Sequence, residues 1–287
     1  MIDMAEKEKI RPKQDQSRPG KESKMHPEPK HEPKGKGSDK LKNKVAIITG
    51  ADSGIGRATA ILFAREGADI AVVYLSEDKD AEETKKAIEK EGRKCLLIKT
   101  DISSETNCKK AVAKTIEEFA KIDILINNAG MHWENKSIED ISTDELIKTF
   151  EINYYSCFWM TKYAVPNLKK GATIVNTTSI TAYRGSDHLM DYASSKGAIL
   201  AFTRSLSQSL VSKGIRVNAV APGPIWTPLI ASTFDEEQVA KFGSDTPMGR
   251  AGEPNEVAPC FLFFASEDSS YLTGQTLHPN GGFILNG

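Results

Sequence analysis

The chain has 287 residues, of which 39% are hydrophobic and 27% charged, and a net charge of −1. That is enough apolar material for one large domain or two small ones, and the near-neutral balance supplies no broad basic field for nucleic acid or an anionic membrane. No apolar signal core opens the sequence and nowhere do eighteen apolar residues run together, so neither secretion nor a membrane span is expected.

The first forty residues hold eleven Lys/Arg, eight Asp/Glu and five Pro, with apolar side chains confined mostly to Met1, Ile2, Met4 and Ile10. Such a segment cannot bury enough to fold alone. It is either a solvated, disordered tail or an extended arm that orders against the body or a neighbouring subunit, with Pro19-Gly20 and the 25–29 stretch as turns and anchors. Residues 1–40 are therefore set apart from a folded domain over 41–287.

From Lys44 onward short β-branched runs alternate with longer amphipathic stretches. Strands are predicted at 45–48, 70–73, 95–99, 122–126, 173–177, 216–220 and 276–278. Helices are predicted at 55–66, where Gly67 ends the pattern, and around 79–91, 104–120, 143–169, 190–213 and 254–265. Seven strands with helices between them imply an α/β fold, a Rossmann-type doubly wound parallel sheet that binds ligands beyond the carboxyl ends of its strands. Four cysteines, Cys95, Cys108, Cys157 and Cys260, form no CxxC pair and have no histidine at metal-ligand spacing. They are expected to be buried thiols in a reducing cytoplasm, with no metal.

The loops after the strands carry the polar motifs. After the first strand comes Gly50-Ala51-Asp52-Ser53-Gly54-Ile55-Gly56, whose glycines let backbone amides and a helix N-terminus meet a pyrophosphate. A plain strand-to-helix turn also accounts for it, but its place in a βαβ unit favours the nucleotide reading. The second strand ends Tyr74-Leu75-Ser76-Glu77-Asp78, with no basic residue before Lys79; together with Asp52 this favours NAD, with NADP as the alternative. Glu77 and Asp78 equally suit a helix start. Asp101 and Ile102, after the third strand, offer an acceptor and an apolar edge to adenine, although Asp101 also suits an N-cap. Asn127-Asn128-Ala129-Gly130 follows the fourth strand, either as a turn or as a close backbone approach to the ligand.

Tyr192 and Lys196 stand at i and i+4 on a predicted helix, so their side chains share a face. A tyrosine titrates near pH 10, and a nearby ammonium favours the phenolate. The spacing is common on its own. Ser179, thirteen residues before Tyr192 at a strand end, adds a hydroxyl for a carbonyl or alkoxide oxygen. Asn153 lies in the preceding long helix. The Pro222-Gly223-Pro224-Ile225-Trp226-Thr227 turn after the sixth strand can meet a nicotinamide carboxamide.

Taken together and in this order, these motifs resemble the short-chain dehydrogenase/reductase family over residues 41–287. The resemblance implies that Tyr192 is the general acid/base, that Ser179 holds the carbonyl oxygen, and that Lys196 lowers the Tyr192 pKa and binds ribose hydroxyls. It implies that Asn153 positions a water that relays the proton to solvent, and that Gly50, Asp52, Ser53, Gly54, Ile55, Gly56, Tyr74, Asp101, Ile102, Asn128, Ala129, Gly130, Pro222, Gly223, Ile225 and Thr227 contact the cofactor. The 14–22 stretch with Met25 and Pro27 is similar to the N-terminal extension of a subgroup that includes general-stress oxidoreductases and glucose-and-ribitol-dehydrogenase homologues. The expected partner is a small carbonyl or alcohol substrate such as a sugar, a polyol or a simple aldehyde or ketone. The alternative is a non-catalytic cofactor-binding stress protein whose tail serves assembly.

His132, Trp133, Tyr183, Arg184, His188 and Trp226 are candidates to line the substrate pocket, or to pack loops, and 228–250 is a candidate lid. The family is usually tetrameric, and Phe261-Leu262-Phe263-Phe264 and Phe283-Ile284-Leu285 are compatible with burial at such contacts.

Overall fold

The computed structural model describes residues 9–285. Seven parallel strands form one sheet in the order β3-β2-β1-β4-β5-β6-β7. They are β1 (Val45–Thr49), β2 (Asp69–Tyr74), β3 (Cys95–Lys99), β4 (Ile124–Asn127), β5 (Thr173–Thr177), β6 (Arg216–Val220) and β7 (Thr276–Leu277). The strand order reverses between β1 and β4, the crevice where such sheets bind nucleotides.

Ten helices connect the strands: α1 (Gly54–Arg65), α2 (Asp78–Lys90), α3 (Glu105–Phe119), α4 (Thr143–Phe150), α5 (Ser156–Ala164), the short α6 (Thr181–Arg184), α7 (Met190–Leu210), the short α8 (Pro228–Ala231) and α9 (Glu236–Lys241), and α10 (Pro254–Ala265). Both faces of the sheet are covered, which is why β1 and β4 are apolar runs without alternation, while the buried Asn176 of β5 and Asn218 of β6 are matched by hydrogen-bond partners. On one face Ala46 and Ile48 pack with Phe63 of α1 and Phe261 and Phe264 of α10; on the other, Ile47 packs with Val112 of α3 and Met160 of α5.

The helix expected over 143–169 is in fact four pieces. Between α4 and α5 a π-helical turn spans Glu151–Tyr155, and a final 3-10 turn, Val165–Asn167, holds Pro166. Proline has no N–H to continue the ladder, so the helix tightens and stops there. The π turn has a consequence for the site, since it carries Asn153.

From Lys9 the N-terminal segment runs along the body as an extended arm. Its backbone bonds to the lid side of the cleft, with Ile10 and Arg11 N–H donating to Ala240 O and Gln16 N–H to Ala231 O. Met25 is buried with Trp226, Ile230 and Phe234, and Trp226 Nε1 donates to Pro27 O at 2.7 Å. Farther on, Arg65 donates to Pro33 O and Gly35 O, and Glu66 accepts from the backbone of Ser38 and Lys40.

Of the apolar Phe261–Phe264 run, Phe261 and Phe264 lie in this chain's own core and Leu262 and Phe263 are partly buried against it, while Ile284 is exposed, as are Leu146, Ile147, Tyr155 and Phe158 on and beside α4 and α5. No helix among the described residues is long and apolar enough to cross a membrane.

Candidate active site

A cleft of about 450 Å³ opens beyond the carboxyl ends of β1–β6. Its first wall is the turn between β1 and α1. Gly50 and Gly54 have φ of +63° and +53°, the left-handed region that glycine enters without strain. Gly56 serves packing: a Cβ there would lie 2.0 Å from Gly50 O and 2.7 Å from Asn128 Nδ2. The N-cap residue of α1, Ser53, makes no side-chain cap, so the first-turn amides of Ile55 and Gly56 have no intrahelical partner. This is a cradle for an anionic group, and it fits the pyrophosphate of a dinucleotide. Asp52 lines the same wall, its carboxyl pushed up to about 6 by burial.

The loop after β4 is locked to this turn. Asn128 Nδ2 donates to Thr49 O and Gly50 O at 3.0 and 3.2 Å, and the Asn128 and Ala129 amides donate to Thr49 Oγ1. Asn127 instead ties β4 to β5, donating to Asn176 Oδ1 at 2.8 Å. At the end of β2, Tyr74 hydroxyl donates to Asp78, and Asp101 and Ile102 line the same end of the cleft, the one expected from sequence to take adenosine.

Ser179, Tyr192 and Lys196 line the opposite end. The Ser179 hydroxyl accepts from the Thr181 amide and hydroxyl at 3.1 and 3.0 Å, leaving its own proton to donate. Lys196 is fully buried; its Nζ lies 5.5 Å from the Tyr192 ring centroid and donates to Thr177 O at 2.9 Å. Burial pushes Tyr192 up to about 12, against the influence of Ser179, and pushes Lys196 down to about 8. Both shifts have one cause, the cost of a charge in a dry site. Asn153 does not reach the cleft wall. It stands behind it, accepting from the Met131 amide at 2.8 Å and donating to Met131 O and to Ser195 Oγ.

Of the cofactor contacts expected from sequence, Gly50, Asp52, Ser53, Gly54, Ile55, Tyr74, Asp101, Ile102, Asn128, Ala129, Gly130, Pro222, Gly223, Ile225 and Thr227 all line the cleft, and Gly56 supports it from behind. Of the substrate candidates, His132, Arg184 and His188 line it while Trp133, Tyr183 and Trp226 do not. Trp226 is fully buried, holding the arm with its Nε1 and carrying the Arg11 guanidinium 4.3 Å above its ring. Burial pushes His132 down to about 3, so the ring is neutral.

The arm supplies lining that sequence reasoning did not assign to the site: Arg18, Pro19 and Gly20. A Cβ on Gly20 would lie 2.3 Å from Pro228 O, so the arm passes the start of α8 closely enough to need glycine. Lys21 then pairs with Glu77 at 3.0 Å, and Glu22, fully buried, accepts from the Gly54 amide and from Arg57 Nη1 at 2.9 Å. The only hint in the sequence was the Pro19-Gly20 turn.

A doubly wound sheet with a glycine cradle at its switch point and a Ser, Tyr and Lys set at the far end of the same cleft is that of a dinucleotide-dependent oxidoreductase. The chain belongs to the short-chain dehydrogenase/reductase family: residues 50–284 match the family model described as enoyl-(acyl carrier protein) reductase. It is 58% identical over 281 residues to general stress protein 39 of Bacillus subtilis (strain 168), covering 97% of this chain and 98% of that protein. It is 50% identical over 283 residues to a glucose and ribitol dehydrogenase of Daucus carota, covering 96% and 97%. The crystal structure of a short chain dehydrogenase from Burkholderia cenocepacia J2315 in complex with NADP superposes with a TM-score of 0.80 at 31% identity, over 85% of this chain and 98% of that one. The cofactor is accordingly a nicotinamide dinucleotide.

Proposed function

We propose that the chain transfers a hydride between NAD(P) and the carbonyl or alcohol carbon of a small substrate (a sugar, a polyol or a simple aldehyde or ketone), with Tyr192 as general acid/base. The observation that carries this reading is the meeting of the Tyr192 phenol, the Ser179 hydroxyl and the Lys196 ammonium in the cleft whose other end is the glycine cradle. The nicotinamide, when bound, gives or takes the hydride. Ser179 donates a hydrogen bond to the substrate oxygen, and Tyr192 gives that oxygen a proton in reduction or removes one in oxidation. The Lys196 charge favours the phenolate, and Ser179 offsets part of the burial that holds the phenol up.

Asn153 acts chiefly as a positioning residue through Met131 and Ser195. A Cβ on Gly130 would meet both Lys196 Nζ at 3.3 Å and Asn153 Oδ1 at 3.4 Å, so glycine here lets both side chains lie close to the backbone, and a water beside them completes the proposed proton relay. Either cofactor is taken. Glu77, the carboxylate at the β2 end, is engaged by Lys21, which weakens the sequence-based expectation of NAD, and the solved relative holds NADP. A homotetramer in the cytoplasm is the setting; the exposed apolar side chains of α4 and its neighbourhood and the four free thiols support it.

The test is a screen of sugars, polyols, aldehydes and ketones with NADH, NADPH and their oxidised forms, followed by absorbance. Tyr192→Phe is expected to lower kcat by roughly 10²- to 10⁴-fold while cofactor affinity holds. If the native chain and the variant are alike on every compound, the enzymatic reading fails and a cofactor-binding stress protein is left.

A further inference from the structure

The charges along the cleft are segregated. Its carboxylates, Asp52, Glu77 and Asp101, all follow β1, β2 and β3 at the adenosine end. The end beside Tyr192 is lined by Arg18, Arg184 and Lys196 and by His132 and His188, the latter 2.8 Å from Asp187, and by no carboxylate among the described residues, while Lys148 lines the cleft beside Ser103. Arg18 and Arg184 are unspent. The Arg18 guanidinium lies 5.5 Å from the Trp133 ring and that of Arg184 5.0 Å from the Phe283 ring. Neither makes a hydrogen bond or an ion pair among the described residues, although the molecule pairs most of its other arginines: Arg11, Arg57, Arg65, Arg93 and Arg250 all face carboxylates. Glu145 acts on Arg18 only across a distance.

A second feature of the same end also lacks a partner. His132 is 4% exposed, packs edge-on against Tyr192 at 4.9 Å between ring centroids, and has a buried Nδ1 with no hydrogen-bond partner. A buried ring nitrogen left unsatisfied is costly, and because Nδ1 is closed off from solvent the ring must shift before a ligand oxygen in the cleft reaches it. Guanidinium groups backed by an aromatic ring keep their five donors in a fixed plane, a geometry suited to carboxylate and phosphate oxygens.

We propose that the substrate end of the cleft recognises an anionic substrate: Arg18 of the arm and Arg184 bind a phosphate or carboxylate group, His132 binds a neighbouring oxygen, and the reacting carbon faces Tyr192. Phosphorylated sugars and oxo acids share this chemistry. The assignment rests on the carbonyl/alcohol reading above, and it gives the arm a role in the site that a tail outside the fold would not have.

Matched pairs of substrates test it on the full-length chain with NADPH: glyceraldehyde against glyceraldehyde 3-phosphate, and butanal against succinate semialdehyde. The charged member is expected to have the higher kcat/KM by roughly 10- to 100-fold in the phosphate pair, the carboxylate pair or both, which identifies the anion. That ratio should fall toward one in Arg18→Ala and Arg184→Ala, survive in part in Arg18→Lys, and shrink as salt is raised. A ratio near one in the native enzyme, or one that neither alanine substitution changes, overturns the proposal. Binding is read separately by titrating the NADPH-loaded chain with 3-phosphoglycerate or glycerol and following nicotinamide fluorescence. If no carbonyl compound is turned over, the redox reading fails, yet tight 3-phosphoglycerate binding lost in Arg18→Ala still supports the anion site, and no preference over glycerol overturns it.

Discussion

The turn after β1 and the arm that lies across it both bring polar atoms to the first turn of α1, but they are held there by different physics. The turn is built from absences. Its glycines remove the Cβ atoms that would prevent close approach, and its only local requirement is to sit between a strand and a helix. The arm is built from long-range contacts. Glu22 is buried against Arg57, Asp80 and His31, and Met25 is buried in the cluster around Trp226, so nothing near these residues in the chain announces their partners. One region is fixed by what its own sequence permits, the other by what the finished body offers.

The largest effect should come from breaking the turn. In Gly56→Ala the new Cβ meets two groups that cannot yield, Gly50 O at 2.0 Å and the tethered Asn128 amide at 2.7 Å. The loop must open, at a cost of about 3 kcal/mol or more, and dinucleotide affinity is expected to fall more than about 100-fold, the equivalent of that energy. Thermal unfolding and cofactor titration check this. If Gly56→Ala binds cofactor as the native chain does, the cradle is not where the pyrophosphate lies.

A smaller loss is expected on the arm's side from Glu22→Gln. The shape is kept and the charge removed, so Arg57 retains Asp80 and Glu83, each at 3.8 Å, and Thr84 at 2.9 Å. Removing one member of a fully isolated buried pair costs about 3–5 kcal/mol; with two acids remaining, about 1–3 kcal/mol is expected. The comparison sharpens if cofactor affinity drops along with stability, since Glu22 touches the Gly54 amide directly. An unchanged melting temperature would mean that the arm is not docked through this pair.

This contrast also explains what could be read from the amino acids alone. The seven strands were legible to within a residue or two, most clearly where a sheet covered on both faces demands continuous apolar runs, as in Val45–Thr49 and Ile124–Asn127. The turn glycines and the Tyr192/Lys196 pair were legible because their spacing is local. Three things were not. The π turn that carries Asn153 is invisible to a 3.6-residue period. The burial of Trp226 under the arm depends on a partner 199 residues away. Arg18 and Lys21 look like any other solvated cations in a tail of mixed charge, and no basic residue precedes Lys79 at the β2 end in the chain, whereas Lys21 reaches Glu77 only in three dimensions.

The smallest expected effect concerns how the arm's hold varies with pH. His31 Nδ1 lies 3.1 Å from Glu22 Oε1, and this close pairing with the carboxylate is the main reason the imidazole is held above its ordinary 6.5. Burial would push the Glu22 carboxyl up, but His31, Arg57 and the Gly54 amide together outweigh it and hold it below 4.5. The two signs are opposite. A histidine bound more tightly to its proton in the folded chain adds stability that is complete below pH 6.5 and fades as the pH rises through the raised folded value. The carboxylate adds stability above pH 4.5 that fades only as the pH falls through its lowered value. Their joint contribution is therefore greatest between these limits. Once the pH has passed the raised His31 value the ring becomes neutral while Arg57 still pairs with Glu22, so the arm loosens without leaving. The melting temperature of the native chain should exceed that of His31→Gln near pH 6 by an amount equivalent to at most about 1 kcal/mol, and the gap should close by pH 8.5. A gap of the same size at both pH values would mean that His31 acts by packing alone, and that the arm is held by Arg57, Met25 and Trp226 without help from a titrating group.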